Sequence, residues 1–179
     1  VVLPLKTEDS ALITMIQRGE RTIPAWPAFL TDEEKAEGYE LLFNGQDLAG
    51  WTGTGAPWTV DHGVLLGAHD GPGSLRSERK LKDFHLVFEC RVDNRTEASL
   101  FLRAQADGGA LTGLEISLDE DRTDPVGKTS ACGVRGVVPP NQHPRFGSSR
   151  WFWLEAVCEG GQLRVVFDDH VLLDIRLAD

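Results

Sequence analysis

The chain has 179 residues, enough for one domain with a substantial core and too few for two of ordinary size. Apolar residues make up 41% and charged residues 26%, a globular balance, and no apolar run approaches the ~18 residues a membrane helix requires. The net charge of -10 repels phosphate backbones and anionic lipid, so nucleic acid is excluded as a partner and insertion into a membrane is not expected.

The first thirty residues read as an arm. Asp9 or Ser10 can cap a short amphipathic helix carrying Leu12, Met15 and Ile16 on one side, with Gly19 at its end. Pro24 and Pro27 then favour extended chain that cannot enter the middle of a sheet, and Trp26 is its expected anchor. At residue 31 a domain is expected to begin and to run to residue 179. Thr31 to Glu34 has the capping-box pattern of a brief helix ending near Gly38.

From Tyr39 onward the pattern changes to short alternating runs separated by turns, which points to an all-β sandwich. WTVDHGVLLG (58–67) reads as a hairpin about Asp61, His62 and Gly63. FHLVFECRV (84–92) sets Phe84, Leu86, Phe88 and Cys90 on one face, with His85, Glu89 and Arg91 on the other. His62, His69, His85 and His170 are expected at the surface. ASLFLRA, GLEISLD, CGVRGVV, WFWLEAVC, QLRVVFD and HVLLDIRL follow with similar alternation. The core this phasing predicts is Leu86, Phe88, Leu100, Leu102, Leu114, Ile116, Leu154, Val165 and Leu173. The longest irregular pieces, 119–130 and 139–149, have the length of binding loops.

Cys90, Cys132 and Cys158 form an odd count without metal-site spacing, and each lies in an apolar run, so they read as small core hydrophobes. The sequence opens at Val1 with no basic and apolar leader. A secreted or periplasmic protein whose signal peptide is not part of this sequence fits that beginning.

An ordered set of segments carries a family resemblance. LTDEEKAEGYELLFNGQDLAGW (30–51) has acidic helix residues leading to a Leu-Phe-Asn-Gly turn and a Gly-Trp pair. WTVDHGVLLG, FHLVFECRV, ASLFLRA, GLEISLDED (113–121), GVRGVVPP (133–140), the strand at Trp151 and the hairpin near Asp168 follow in order. Together, over roughly 30–177, these resemble the 3-keto-disaccharide hydrolase family. The resemblance implies a concanavalin-A-like jelly-roll β-sandwich whose concave polar sheet face binds carbohydrate. It also implies cleavage of 3-keto-disaccharides or related glycosides. The keto group acidifies the C2 proton, so a base, an electrophile for the ketone oxygen and an acid for the leaving oxygen are needed.

Alternation puts Arg103 on the face of its strand away from Leu102, and Glu115 away from Leu114 and Ile116. Glu115 is the expected base or hydroxyl acceptor, and Arg103 the cation that orients it or polarises the ketone; the plain alternative is a sheet-face salt bridge. Glu120 falls on the family's aspartate after this strand and completes the catalytic set. Trp151 is a stacking surface for a sugar or a core residue, and Arg135, His143 and Ser117 are further candidates for substrate contact. Asp119, Glu120, Asp121 and Asp124 concentrate carboxylates, and a divalent cation such as calcium is the cofactor such a loop would take; otherwise the loop is simply solvated.

Departures stand beside the resemblance. Glu97-Ala98-Ser99 replaces the family's Asn-Ser-Gly, Ser117 replaces its Gln, Arg135 its Tyr and Phe152 its Asn. The family's closing segment is absent after Asp179, so either closing strands are missing from the sequence or the arm completes the sheet. Three readings follow: a glycoside-cleaving enzyme, a non-catalytic lectin-like module, and a subunit that forms a homo-oligomer through an exposed sheet edge.

Overall fold

The computed structural model describes residues 30–67, 71–92, 98–107, 110–118, 125–145 and 150–177. The expected arm at 1–30, with Trp26, lies outside them except for Leu30. Contacts divide the chain into two compact units, Val1–Glu89 and Cys90–Asp179.

In the first unit, one short helix, α1 (Asp32–Ala36), opens the described chain with the expected capping box. Thr31 Oγ1 accepts from the Glu34 amide at 3.1 Å, and Glu34 Oε2 accepts from the Thr31 amide at 2.7 Å. Gly38, at φ 87°, ends it, and the Tyr39 amide returns to the Glu34 carbonyl at 3.0 Å. Strands β1 (Trp51–Gly55), β2 (Thr59–Asp61), β3 (Val64–Leu66), β4 (Gly73–Ser77) and β5 (Phe84–Cys90) follow. β1 pairs antiparallel with β4, and β2 with β3. The β2–β3 turn is the one anticipated: His62 and Gly63 both have positive φ, 48° and 80°, as a two-residue hairpin requires.

β5 departs from simple alternation. Phe84 through Glu89 are all buried, so the polar face expected for His85 and Glu89 is covered like the apolar one. His85, expected at the surface, is 2% exposed, and its Nδ1 lies 2.6 Å from the Tyr39 hydroxyl. A buried imidazole needs such a partner, and Tyr39, itself buried, supplies it at a distance of 46 residues, which a local pattern does not reveal.

The second unit holds β6 (Ser99–Asp107), β7 (Ala110–Ser117), β8 (Phe152–Glu159), β9 (Gln162–Phe167) and β10 (His170–Arg176). β8, β9 and β10 pair consecutively and antiparallel. β8 and β9 alternate as read: Phe152, Leu154, Ala156 and Cys158, then Leu163, Val165 and Phe167, are buried. β10 carries a bulge between Val171 and Leu173, so consecutive Leu172 and Leu173 are both buried. The β9–β10 turn places Asp168 and Asp169 at φ 42° and 67°. The Asp168 carboxylate accepts from the Trp153 amide at 2.9 Å and pairs with Arg150, which fixes the hairpin against β8.

Of the predicted core, Leu86, Phe88, Leu102, Ile116, Leu154, Val165 and Leu173 are buried, while Leu100 and Leu114 are half-buried. All three cysteines are free thiols, Cys132 and Cys158 buried and Cys90 half-buried, as their apolar settings implied.

Candidate functional site

β6 and β7 build the site. Their register sets Leu100 opposite Ile116 and Leu102 opposite Leu114, the apolar side of the pair. It sets Ser99 opposite Ser117 and Phe101 opposite Glu115, so Ser99, Glu115 and Ser117 share the other face.

Beyond Leu102 the alternation breaks. Between Leu102 and Gln105 the register shifts, so that Arg103 and Ala104 together face Gly113. Arg103 is held at φ 51°, and Gly113, at φ 150°, leaves room for it: a Cβ there would lie 2.7 Å from the Leu102 carbonyl oxygen and 3.1 Å from the Ala104 Cα. The bulge redirects Arg103, whose NH2 donates to the carbonyl of Gly160 in the β8–β9 turn at 2.7 Å. Arg103 was expected within salt-bridge or one-water reach of Glu115; the ion pair that Glu115 makes with a described residue is with Arg135 instead.

Arg135 takes that place. Its Nε lies 2.8 Å from Glu115 Oε1, and its NH2 donates to Ser117 Oγ at 2.8 Å. The segment that carries it is docked on the free side of β7. The Cys132 amide donates to the Ser117 carbonyl at 2.7 Å, and the Arg135 amide to the Glu115 carbonyl at 2.8 Å, with Val134 bridging Ile116. Val134 and Val138 then close a tight turn, and the Gly136 amide reaches the Lys128 carbonyl at 2.8 Å. Close approach needs Gly133, where a Cβ would meet the Val138 carbonyl oxygen at 2.8 Å and Pro140 Cδ at 2.9 Å. Cys132 enters the turn at φ 61°, a left-handed conformation in a fully buried non-glycine residue.

Glu115 is thus held from one side. Ser99 Oγ donates to Oε1 at 2.7 Å and Arg135 approaches the same oxygen, while no described residue bonds Oε2. The side chains of Glu115 and Arg135 are 30% and 32% exposed, so the pair lies at the boundary of solvent. In such a setting an ion pair adds only about 0–1 kcal/mol to stability. Its more specific effect is to hold the carboxylate by one oxygen, Oε1.

The other expected site residues are placed as follows. Ser117 is completely buried, which removes it from direct substrate contact and leaves it an acceptor for Arg135. Trp151 is half-buried, and the Arg91 guanidinium lies over its ring at 5.5 Å, so a cation occupies a stacking face expected for sugar. His143 is half-buried on the segment whose Asn141 amide bonds the Leu172 carbonyl at 2.8 Å, and it makes no hydrogen bond or ion pair with Glu115. Glu120 and the acidic loop with Asp119, Asp121 and Asp124 lie outside the described residues. Among the described residues no group of three His, Cys, Asp or Glu is gathered for a metal ion.

The sequence reading missed buried His85 and Glu89, and the pairing of Arg135 with Glu115. For Arg135 the available signal was a Gly-Val-Arg-Gly turn two glycines long, which constrains the backbone but does not name the strand it docks on.

No curated protein matches the chain. Among solved structures, a candidate glycosyl hydrolase from Parabacteroides distasonis ATCC 8503 superposes with a TM-score of 0.73 at 22% identity, over 83% of this chain and 76% of that one. This likeness shows the fold, the all-β sandwich anticipated from strand spacing and of the jelly-roll kind that the family resemblance implied. The description 3-keto-alpha-glucoside-1,2-lyase-like domain matches residues 38–179, which takes in every described strand and the whole of the Ser99, Glu115, Ser117 and Arg135 cluster, and the chain belongs to that family.

Proposed function

We propose that the chain is a carbohydrate-active enzyme that cleaves 3-keto-disaccharides or related glycosides, with Glu115 as the base. Family membership and the likeness to a candidate glycosyl hydrolase support a carbohydrate-directed role. The observation that carries the reading is the one-sided hold on Glu115: Ser99 and Arg135 both approach Oε1, and no described residue bonds Oε2.

In the proposed chemistry, Oε2 takes the C2 proton of a 3-keto-glycoside. The C2–H electron pair becomes a C1–C2 double bond as the C1–O bond breaks, and the leaving oxygen keeps that bond's pair and gains a proton. Water then adds across the double bond, hydroxyl to C1 and proton to C2. The net change is hydrolysis with no oxidation or reduction. Arg135 takes the orienting role that sequence alone gave to Arg103, and its positive charge lies beside the region where negative charge develops. Glu120, placed in the catalytic set by the family pattern, is proposed here as the acid for the leaving oxygen, and a calcium-like cation on the acidic loop remains a proposal from sequence.

The test is to incubate the protein with a 3-keto-disaccharide and with its unoxidised parent, following sugar release and equilibrium binding together. Turnover of the keto form alone, lost in Glu115→Gln, is the expected result. Saturable binding with no release selects the lectin-like module instead, because a carboxylate flanked by serine and arginine can also hold sugar hydroxyls.

A further inference from the structure

We infer that Ser99 sets substrate specificity by accepting a hydrogen bond from the hydroxyl on the sugar carbon that loses its proton, so that the site selects 3-keto-glycosides with a free 2-hydroxyl. The inference rests on the reading of Glu115 as base given above and adds to it a group that recognises the substrate beside that base.

Ser99 and Glu115 are diagonal neighbours on one face of the β6–β7 ladder, Ser99 opposite Ser117 and Glu115 opposite Phe101. Ser99 opens β6 and is exposed, and its Oγ donates to Glu115 Oε1 at 2.7 Å. A base is ionised before it acts, and a carboxylate only accepts hydrogen bonds, so the hydrogen between the two groups is the serine's. A serine hydroxyl has a single hydrogen and two acceptor lone pairs. With its hydrogen held by Oε1, Ser99 offers a ligand lone pairs alone. Transfer of a substrate proton to Oε2 leaves this unchanged, because Oε1 stays an acceptor.

An exposed acceptor beside the base sorts the edges of a keto-sugar. The ketone oxygen carries no hydrogen, and setting it against Ser99 would oppose two sets of lone pairs. A hydroxyl can donate there. In the proposed reaction the base takes the proton of C2, and the hydroxyl on that same carbon is the ring's nearest donor when the C2 proton faces the carboxylate. The 2-hydroxyl therefore goes to Ser99, and the C3 ketone is turned away from it. A sugar without the 2-hydroxyl loses this bond.

The experiment is a cycle over enzyme and substrate. The kcat/KM is measured for a 3-keto-disaccharide and for its 2-deoxy analogue, each with the wild type, Ser99→Ala and Ser99→Thr. Losing the serine's hydrogen bond to Glu115 slows both sugars alike, and the analogue's own reactivity is the same with every enzyme, so the ratio of ratios isolates the contact. The wild-type preference for the 2-hydroxy sugar is expected to fall about 10-fold in Ser99→Ala and to return in Ser99→Thr, which keeps the hydroxyl. A preference that is as large in Ser99→Ala as in the wild type overturns the inference, even where Ser99→Ala is slow, since Ser99 then acts on Glu115 alone. So does a preference that falls in Ser99→Ala and is not restored by threonine. If the wild type turns over neither sugar, the reading of Glu115 as base fails, and the same ratio taken from equilibrium binding of the two sugars decides the contact with Ser99. A wild type that neither cleaves nor binds them overturns both.

Discussion

Cys132 shows how a single residue's setting controls its chemistry. It is fully buried at φ 61° on the turn that presents Arg135, and burial, with a smaller contribution from the negative charge of Asp168, pushes its thiol well above the ordinary value of about 9.0. The neutral thiol is thus the folded form. In the unfolded chain the proton leaves near pH 9, so above that pH the unfolded state binds fewer protons than the native one and stability falls as pH rises. Below pH 9 both states keep the proton and the effect is constant. Two outcomes are expected: Cys132 resists alkylation by iodoacetamide at pH 8 while the half-buried Cys90 reacts first, and a Cys132→Ala variant shows a shallower loss of melting temperature between pH 8.5 and 10. Mass spectrometry of alkylated peptides and pH-dependent thermal melts check these respectively.

The β6–β7 pair depends on one glycine. An alanine at position 113 would place Cβ against the Leu102 carbonyl and the Ala104 backbone, at a φ of 150° that side chains rarely adopt. Gly113→Ala is expected to cost roughly 1–3 kcal/mol and to lower melting temperature by several degrees. On the apolar side of the same pair Leu102 is 2% exposed, and Leu102→Ala should cost roughly 2–5 kcal/mol in urea unfolding. These two positions also mark how far the sequence could be read. Period-two alternation located Leu102, Ile116, Leu154 and Val165 in the core, because burial on one sheet face writes itself directly into the chain. It failed at Arg103, since a bulge is a property of two paired strands and leaves no trace in one of them beyond a glycine on the partner. It failed again at His85 and Glu89, which are buried on a face that looked solvated. The face that Glu115 occupies was legible because it lies in the regular part of the ladder, opposite Phe101; Arg135 was not recognisable as its partner because that contact joins positions 20 residues apart through a docked turn.

Across the whole molecule the surplus of acidic residues, net -10, shapes encounter with substrates more than it shapes the fold. A neutral keto-disaccharide should be turned over with little dependence on salt. A uronate-bearing analogue should be disfavoured at low ionic strength and recover as sodium chloride screens the repulsion, which steady-state kcat/KM between 20 and about 500 mM salt would reveal. Ionic-strength profiles that coincide for the two substrates would show that the site's own Arg135 outweighs the global field. The bulge opposite Gly113 has a bearing on engineering. A register fixed by a bulge inside the ladder cannot slide by one residue without unmaking that bulge, so Glu115 stays opposite Phe101 and beside Ser99 when exposed positions of β6–β7 are redesigned.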